Sequence, residues 1–269
     1  MSIIDQNKSC FDDTILMCIK NDYISNSIRK SIDSQQVYSF DELSLKDIIT
    51  TRNKNADIVI SSKRTLQAAS NYRGKRVCIL NFANAYQPGG GVRFGQTAQE
   101  ESICRCSSLY HCLCDEDVGE KYYNKHKRDG IKLYYEDVIF TPNVVVFKTD
   151  TNPPSEMRED DWFNVDVISC AAPDLRYLMT TKEELRIAHN NLWSMIFKIA
   201  VINKEDVLIL GALGCGVFEN DPDLVSQVVA DTIKDYRQYF DTIEFAIYSN
   251  NDNNRVIFEK NIIGGPYYY

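Results

Sequence analysis

Apolar positions along this chain follow two periods. Short, mostly apolar runs occupy residues 76–81 (RVCILN), 144–148 (VVVFK), 165–170 (VDVISC), 207–212 (VLILGA) and 243–249 (IEFAIYS), with a shorter one at 57–60. Their length and β-branched content suit strands covered on both faces of a sheet. Between them the period lengthens. Leu185, Leu192, Met195, Ile196 and Ile199 mark a helix over 182–202. Leu224, Val225, Val228, Val229 and Ile233 line another, opened by Asp221 as cap and Pro222 at its first position. A helix over 11–30 is expected from a cap at Asp12 or Asp13 and an apolar face of Ile15, Leu16 and Ile19. A shorter one over 63–72 ends at Gly74. Residues 31–55 read as polar surface, 115–137 as a charged, tyrosine-rich peripheral excursion, and the tail GGPYYY as loose. Strands alternating with helices predict an α/β fold on a mostly parallel or mixed sheet. With no internal repeat or linker, a single domain over residues 1–269 is expected.

Two of the predicted strands empty into glycine-rich loops that lead to helix starts. The first passes through Asn84 into Pro88-Gly89-Gly90-Gly91 and becomes helical near Ala98, Gln99, Glu100 and Glu101. The second is Gly211-Ala212-Leu213-Gly214-Cys215-Gly216-Val217-Phe218. Ligands of open α/β sheets sit beyond the carboxyl ends of strands, where bare amides and helix N-termini attract phosphate. Two such loops can clasp a diphosphate from both sides. Neither carries the Lys-Ser or Lys-Thr of a nucleotide-hydrolysing phosphate loop, and the second lacks the spacing of a dinucleotide fingerprint.

Glu100 and Glu101 point to chemistry beside that cradle. A glycosidic bond breaks through an oxocarbenium-like state, helped by an acid at the leaving oxygen. Adjacent side chains on a helix diverge by about 100°, so the two carboxyls should have different tasks. Glu101 is expected to protonate a leaving oxygen and then activate water; Glu100 is expected to orient the group that leaves. Each residue also has a plainer reading: surface glutamates at a helix start, a turn at Asn84, a core aromatic at Phe218.

Hydrophobic content of 44% and charged content of 25% are those of an ordinary globular protein. The N-terminus has no signal-peptide layout and no run reaches the roughly 18 apolar residues of a membrane span. A cytoplasmic protein is expected. The odd count of nine cysteines argues for free thiols in a reducing compartment. Cys104, Cys106, Cys112 and Cys114, near His111, have the wrong spacing for a zinc knuckle, and alternate residues on a helix diverge by about 200°. A net charge of −8 opposes general nucleic-acid binding. The basic run Lys125-His126-Lys127-Arg128 reads as a solvated loop.

The segment NFANAYQPGGG, followed after seven residues by QEESICR, closely resembles the loop of poly(ADP-ribose) glycohydrolases, above all the compact microbial branch of that macrodomain-related family. LILGALGCGVFENDP, TLQAA (65–69) and ISCAAPDLR (168–176) extend the likeness over residues 11–260. The resemblance implies a macrodomain-like three-layer α/β/α sandwich with a mixed central sheet. By position it implies that Asn84 contacts ribose, that Gln99, Glu100 and Glu101 form the catalytic-loop triplet, and that Phe218 lies beside the ribose. Gly214, Cys215, Gly216 and Val217 would form the diphosphate loop, and Gly89, Gly90 and Gly91 would join the substrate contacts. The implied activity releases ADP-ribose from poly(ADP-ribose) on modified proteins, without metal or organic cofactor, nucleic acid or membrane. No counterpart of the animal enzymes' accessory domain or of their substrate-clasping tyrosine is located in this sequence, so trimming from the chain terminus is expected. The alternatives are a hydrolase of mono-ADP-ribosylated protein or O-acetyl-ADP-ribose, and a reader that binds ADP-ribose without cleaving it.

Overall fold

A computed structural model describes residues 2–44, 55–133, 137–249 and 252–264. The chain opens with α1 (Ile3–Lys20) and α2 (Asp22–Ser34), then β1 (Gln36–Ser39), α3 (Phe40–Ser44) and β2 (Asp57–Ser61). Next come α4 (Thr65–Ala69), β3 (Val77–Phe82), α5 (Gln99–Cys106), α6 (Leu109–Leu113), α7 (Glu116–Val118) and α8 (Lys125–Asp129). The second half supplies β4 (Asp137–Val146), β5 (Phe163–Cys170), α9 (Lys182–Ile202), β6 (Val207–Leu210), α10 (Pro222–Tyr236), β7 (Thr242–Ala246) and α11 (Asn253–Ile263).

Among the described residues the strands form one sheet in the order β1-β4-β5-β3-β6-β7-β2. From β5 to β2 neighbours run parallel, while β4 pairs antiparallel with both β5 and β1. Alternate residues split between two cores, as the two-residue period of a strand requires. Cys78, Leu80, Ile168, Leu208 and Leu210 join α9 and α10 and Phe258 of α11 on one side. Val77, Ile79, Val165, Val167, Val207 and Ile209 meet α4, α5 and α6 on the other. The result is a three-layer α/β/α sandwich around a mixed sheet.

Several expectations need correction. The helix expected over 11–30 is two helices. Ser2 and Asp5 form a capping box that starts α1 earlier, and Asn21, accepting from the Ile24 amide at 3.1 Å, breaks the run and caps α2. The expected apolar face is also displaced: Leu16 and Ile19 are exposed, and the buried face is Asn7, Phe11, Thr14 and Cys18. Its polar members are satisfied by tertiary partners, with Asn7 donating to the Gly95 carbonyl at 3.0 Å and Thr14 to that of Arg105. Residues 31–55 hold the end of α2, β1 and α3 within their described part. β4 begins at Asp137, well before the VVVFK run, because a bulge between Thr141 and Val144 absorbs Pro142. The excursion over 115–137 is only partly peripheral, since Tyr122, Tyr123 and His126 are buried. The basic run accordingly turns one member inward: His126 lies within hydrogen-bond distance of Asp137 and the Ala85 carbonyl. α11 lacked any expected element, and the tail residues 265–269 lie outside the described residues.

Glu205, just before β6, is buried; neither carboxyl oxygen receives a hydrogen bond, and the Arg76 guanidinium stands 3.7 Å from Oε1. Burial, then the neighbouring Asp166 charge, pushes its pKa from 4.5 up to about 10. Between those values the fold holds a proton that the unfolded chain has released, so this group's contribution to stability falls as pH rises. Glu205→Gln should therefore raise the melting temperature, with no gain near pH 4 and an increasing gain from pH 5 to about 9. A gain independent of pH in thermal melts would contradict this account.

Candidate active site

β3 delivers the chain to the first loop at the carboxyl edge of the sheet. The Asn84 side chain accepts from the amides of Tyr86 (2.8 Å) and Gln87 (2.9 Å), an Asx turn that reverses the backbone. Its own amide donates to Glu100 Oε2 at 2.8 Å. The turn reading of Asn84 therefore holds, and what it visibly organises is the loop. Gly90 sits at φ +55, and a Cβ there would come within 2.6 Å of Glu101 Oε1 and 3.0 Å of Glu100 Oε2. The loop is glycine because two carboxyls lean against it. The Gly91 amide donates to Glu101 Oε1 at 2.9 Å, so the anion cradled by this loop is a side chain of the protein itself.

α5 is pinned to β3 by Gln99. Its amide accepts from the Phe82 N–H (2.8 Å) and donates to the carbonyl of Leu80 (2.6 Å) and to Thr65 Oγ1 (3.0 Å). Both Glu100 and Glu101 are buried. Glu100 Oε1 accepts from Asn81 Nδ2 at 3.3 Å, and Asn81 also donates to Ser169 Oγ on β5 at 3.0 Å. Burial pushes the Glu100 carboxyl up to about 8, against the lowering effect of the Asn84 amide and Asn81. Glu101 is held by one oxygen, while its other oxygen, Oε2, is buried without a donor. The two carboxyls thus take different partners on one loop.

The second loop is shaped from below by Asn220. Its Nδ2 donates to the carbonyls of Pro173 (2.7 Å), Gly214 (3.1 Å) and Phe218 (3.1 Å), and its Oδ1 takes a hydrogen bond from His189 Nε2 at 2.8 Å. Burial depresses the His189 pKa to about 4, which keeps the ring neutral. Gly214 has φ +80, and a Cβ there would meet Ala172 and Asn220 at 2.9 Å, so packing alone demands glycine. At Gly216 a Cβ would meet nothing within 4 Å. Cys215 is half-buried, its thiol pushed up to about 12 by burial, and its carbonyl accepts from Asn254 Nδ2 at 3.1 Å. Val217 is exposed, and Phe218 packs partly against the core.

Between the second loop, the N-terminus of α5 and the end of β7 lies a cavity of about 360 Å³. Of the predicted residues, Gln99, Gly214, Gly216, Val217 and Phe218 line it. Asn84, Gly89–Gly91, Glu100 and Glu101 do not; they form an adjoining cluster that meets the cavity at Gln99. Sequence reasoning missed Arg64, Asp150 and Tyr248 on the cavity wall. Asp150 accepts from the Leu66 amide (3.1 Å) and Ser102 Oγ (2.8 Å) and lies 3.8 Å from Arg64, whose guanidinium is 4.2 Å from the Tyr248 ring centroid. These residues are brought together only by tertiary structure, and the sole local signal was TLQAA itself. Among the described residues, no three His, Cys, Asp or Glu side chains are arranged to hold a metal ion.

The raised Glu100 pKa carries a stability cost. Between 4.5 and about 8 the fold retains a proton that the unfolded chain gives up, so stability drops as pH rises through that window. Glu100→Gln should raise the melting temperature at pH 8 but not at pH 4. A destabilised variant at pH 8 would show instead that the ionised carboxyl is needed by the Asn84 turn.

A family model described as "Microbial-type PARG, catalytic domain" matches residues 11–149, a little over half of the chain. Among solved structures, poly(ADP-ribose) glycohydrolase from Thermomonospora curvata superposes with a TM-score of 0.85 at 24% identity, covering 96% of this chain and 99% of that one. The same protein bound to the inhibitor ADP-HPD gives 0.84 at 26% identity, covering 95% and 99%. The enzyme from Deinococcus radiodurans in complex with ADP-ribose gives 0.77 at 24% identity, covering 88% and 97%. The respective TM-scores of two of its crystal forms are 0.77 and 0.78. No curated protein sequence matches the chain. With the family model spanning both the Asn84 turn and the Gln99-Glu100-Glu101 triplet, the chain belongs to the microbial-type poly(ADP-ribose) glycohydrolases.

Proposed function

We propose that this poly(ADP-ribose) glycohydrolase removes ADP-ribose from the chain terminus, with Glu101 as general acid and base. The observation that carries the assignment is the asymmetry of the Glu101 carboxyl. One oxygen is fixed by the Gly91 amide, and the other is buried without a protein donor, on the helix whose Gln99 lines the cavity. A proton on that second oxygen would pass to the leaving ribose oxygen as the glycosidic bond breaks. The oxocarbenium carbon then takes water, whose proton returns to Glu101, leaving ADP-ribose and a chain shortened by one unit. Glu100, anchored by the Asn84 amide and Asn81, would orient ribose hydroxyls. Since burial favours its neutral form, the pair need not carry two charges before the substrate's diphosphate arrives.

The diphosphate would lie on the second loop, where Gly216 leaves backbone open to the cavity, opposite the α5 N-terminus, which has no side-chain cap. Phe218 would flank the ribose, and Tyr248 with its stacked Arg64 would offer the base a flat wall. Poly(ADP-ribose) on modified proteins is the proposed partner, and a cytoplasmic setting suits nine free cysteines.

Incubation with long poly(ADP-ribose) should yield ADP-ribose monomer from the outset, with no medium-length oligomers. Early oligomers would mean internal cleavage, release only from mono-ADP-ribosylated protein would favour that substrate, and binding without release would favour a reader. Glu101→Gln keeps shape but cannot exchange the proton, so single-turnover release should slow by about 10²-fold or more. Its affinity for ADP-ribose should stay close to that of the unmodified enzyme. Near-normal turnover in that variant would remove Glu101 from the mechanism.

Gly216→Val adds a branched side chain where the protein offers no clash, so folding should be preserved. Titration calorimetry should show ADP-ribose affinity reduced by about tenfold or more, as the branches occupy the space a phosphate needs. Unchanged affinity would take this loop out of the diphosphate site.

A further inference from the structure

On the outer side of the second loop lies an arrangement the cavity does not use. Arg176, in the segment leaving β5, is chelated by Asp174 through bonds of 2.8 and 2.7 Å. Its guanidinium lies 5.3 Å from the Phe218 ring centroid and 5.2 Å from that of Tyr177. The segment is tied to the second loop by the Leu175 amide on the Phe218 carbonyl (3.1 Å) and by Asn220, which donates to both Pro173 and Phe218. Tyr177 itself is 66% exposed. A ring packed by a fixed guanidinium and otherwise open to solvent can serve as a stacking platform.

Strand order places this platform relative to the reacting bond. The cavity is lined by Phe82 at the end of β3, Ala212 after β6 and Ala246 at the end of β7, whereas Arg176 and Tyr177 follow β5 on the other side of β3. The first loop leans the same way, since the Ala83 amide donates to the Cys170 carbonyl and Ala85 packs with Ala171. An ADP-ribose unit with its diphosphate on the second loop and its terminal ribose at Glu101 fills the β3–β6–β7 side. The part of the polymer beyond the scissile bond must then leave over β5. That part begins with an adenosine, because the leaving oxygen belongs to its ribose.

We propose that Tyr177, backed by Arg176, stacks the adenine of the leaving ADP-ribose unit, an inference that rests on the hydrolytic reading above. Asp174 neutralises Arg176, so the platform favours a base rather than any anion. Tyr177 is a binding residue here and takes no part in the chemistry.

The test compares kcat/KM on poly(ADP-ribose) with the Kd for ADP-ribose monomer in Tyr177→Ala and Tyr177→Phe. Loss of one base–aromatic stack should lower kcat/KM on polymer about tenfold in Tyr177→Ala. Tyr177→Phe should stay within about twofold of the unmodified enzyme, and both variants should bind monomer normally. The defect should persist at high salt, unlike loss of a phosphate contact. Undiminished polymer cleavage by Tyr177→Ala overturns the inference, and so does a parallel loss of monomer affinity, which would mark Tyr177 as structural. Unmodified enzyme that leaves polymer intact overturns the hydrolytic reading and this inference with it.

Discussion

The hydrogen bond from the Gly91 amide to Glu101, set beside that from the Asn84 amide to Glu100, constrains everything around it. Two adjacent carboxyls are buried, which costs free energy unless donors meet them. The donors are backbone amides of one loop, so the loop's shape and the side chains' placement cannot vary separately. A Cβ at Gly90 would strike both carboxyls, and a Cβ at Gly91 would strike Gln96 at 2.5 Å. The Asx turn at Asn84 aims its own amide, and Gln99 fixes the helix from which both glutamates project. A single displaced peptide would free Glu101 to rotate and leave Glu100 without its shortest bond.

The second half of the site is built on different terms. There the buried anchor is a neutral amide, Asn220, which gathers carbonyls from two loops while His189 holds it from beneath. Asp150 plays the converse part on the cavity's far wall, where a carboxylate gathers an α4 amide, Ser102 and Arg64. Hydrogen-bonded polar side chains fix the walls, and Gly214, Gly216, Phe218 and Tyr248 add bare backbone and aromatic rings to the lining.

Much of this was legible because it is local. α9 matches its expected span and α10 its expected start and inner face, since periodic apolar residues and a capped Asp-Pro start are signals within a few turns. Glycines next to glutamates likewise revealed the first loop, although its amides serve Glu101 before any phosphate. Helix faces proved harder. Thr14 and Asn7 point inward because distant carbonyls receive them, and no period in α1 encodes those partners. Asp150 and Asn220 escaped notice for the same reason: an isolated acid or amide acquires meaning only from the strands that converge on it. α11 escaped through its weak pattern, having only Phe258 fully buried.

Charge completes the argument. The chain carries a net charge of −8, and the one cation on the cavity wall among the described residues, Arg64, is already paired with Asp150 and stacked on Tyr248. On the proposed reading, a ligand bearing two phosphates would find little mobile positive charge, and its recognition would fall to oriented amides at the second loop and the α5 N-terminus. Such donors act at hydrogen-bond range and lose little to the ionic screening that weakens interactions between separated charges. A net negative charge also repels free polyanions, so under that reading a polymer end would be held only where the loops match its diphosphate and not wherever its charge happens to land.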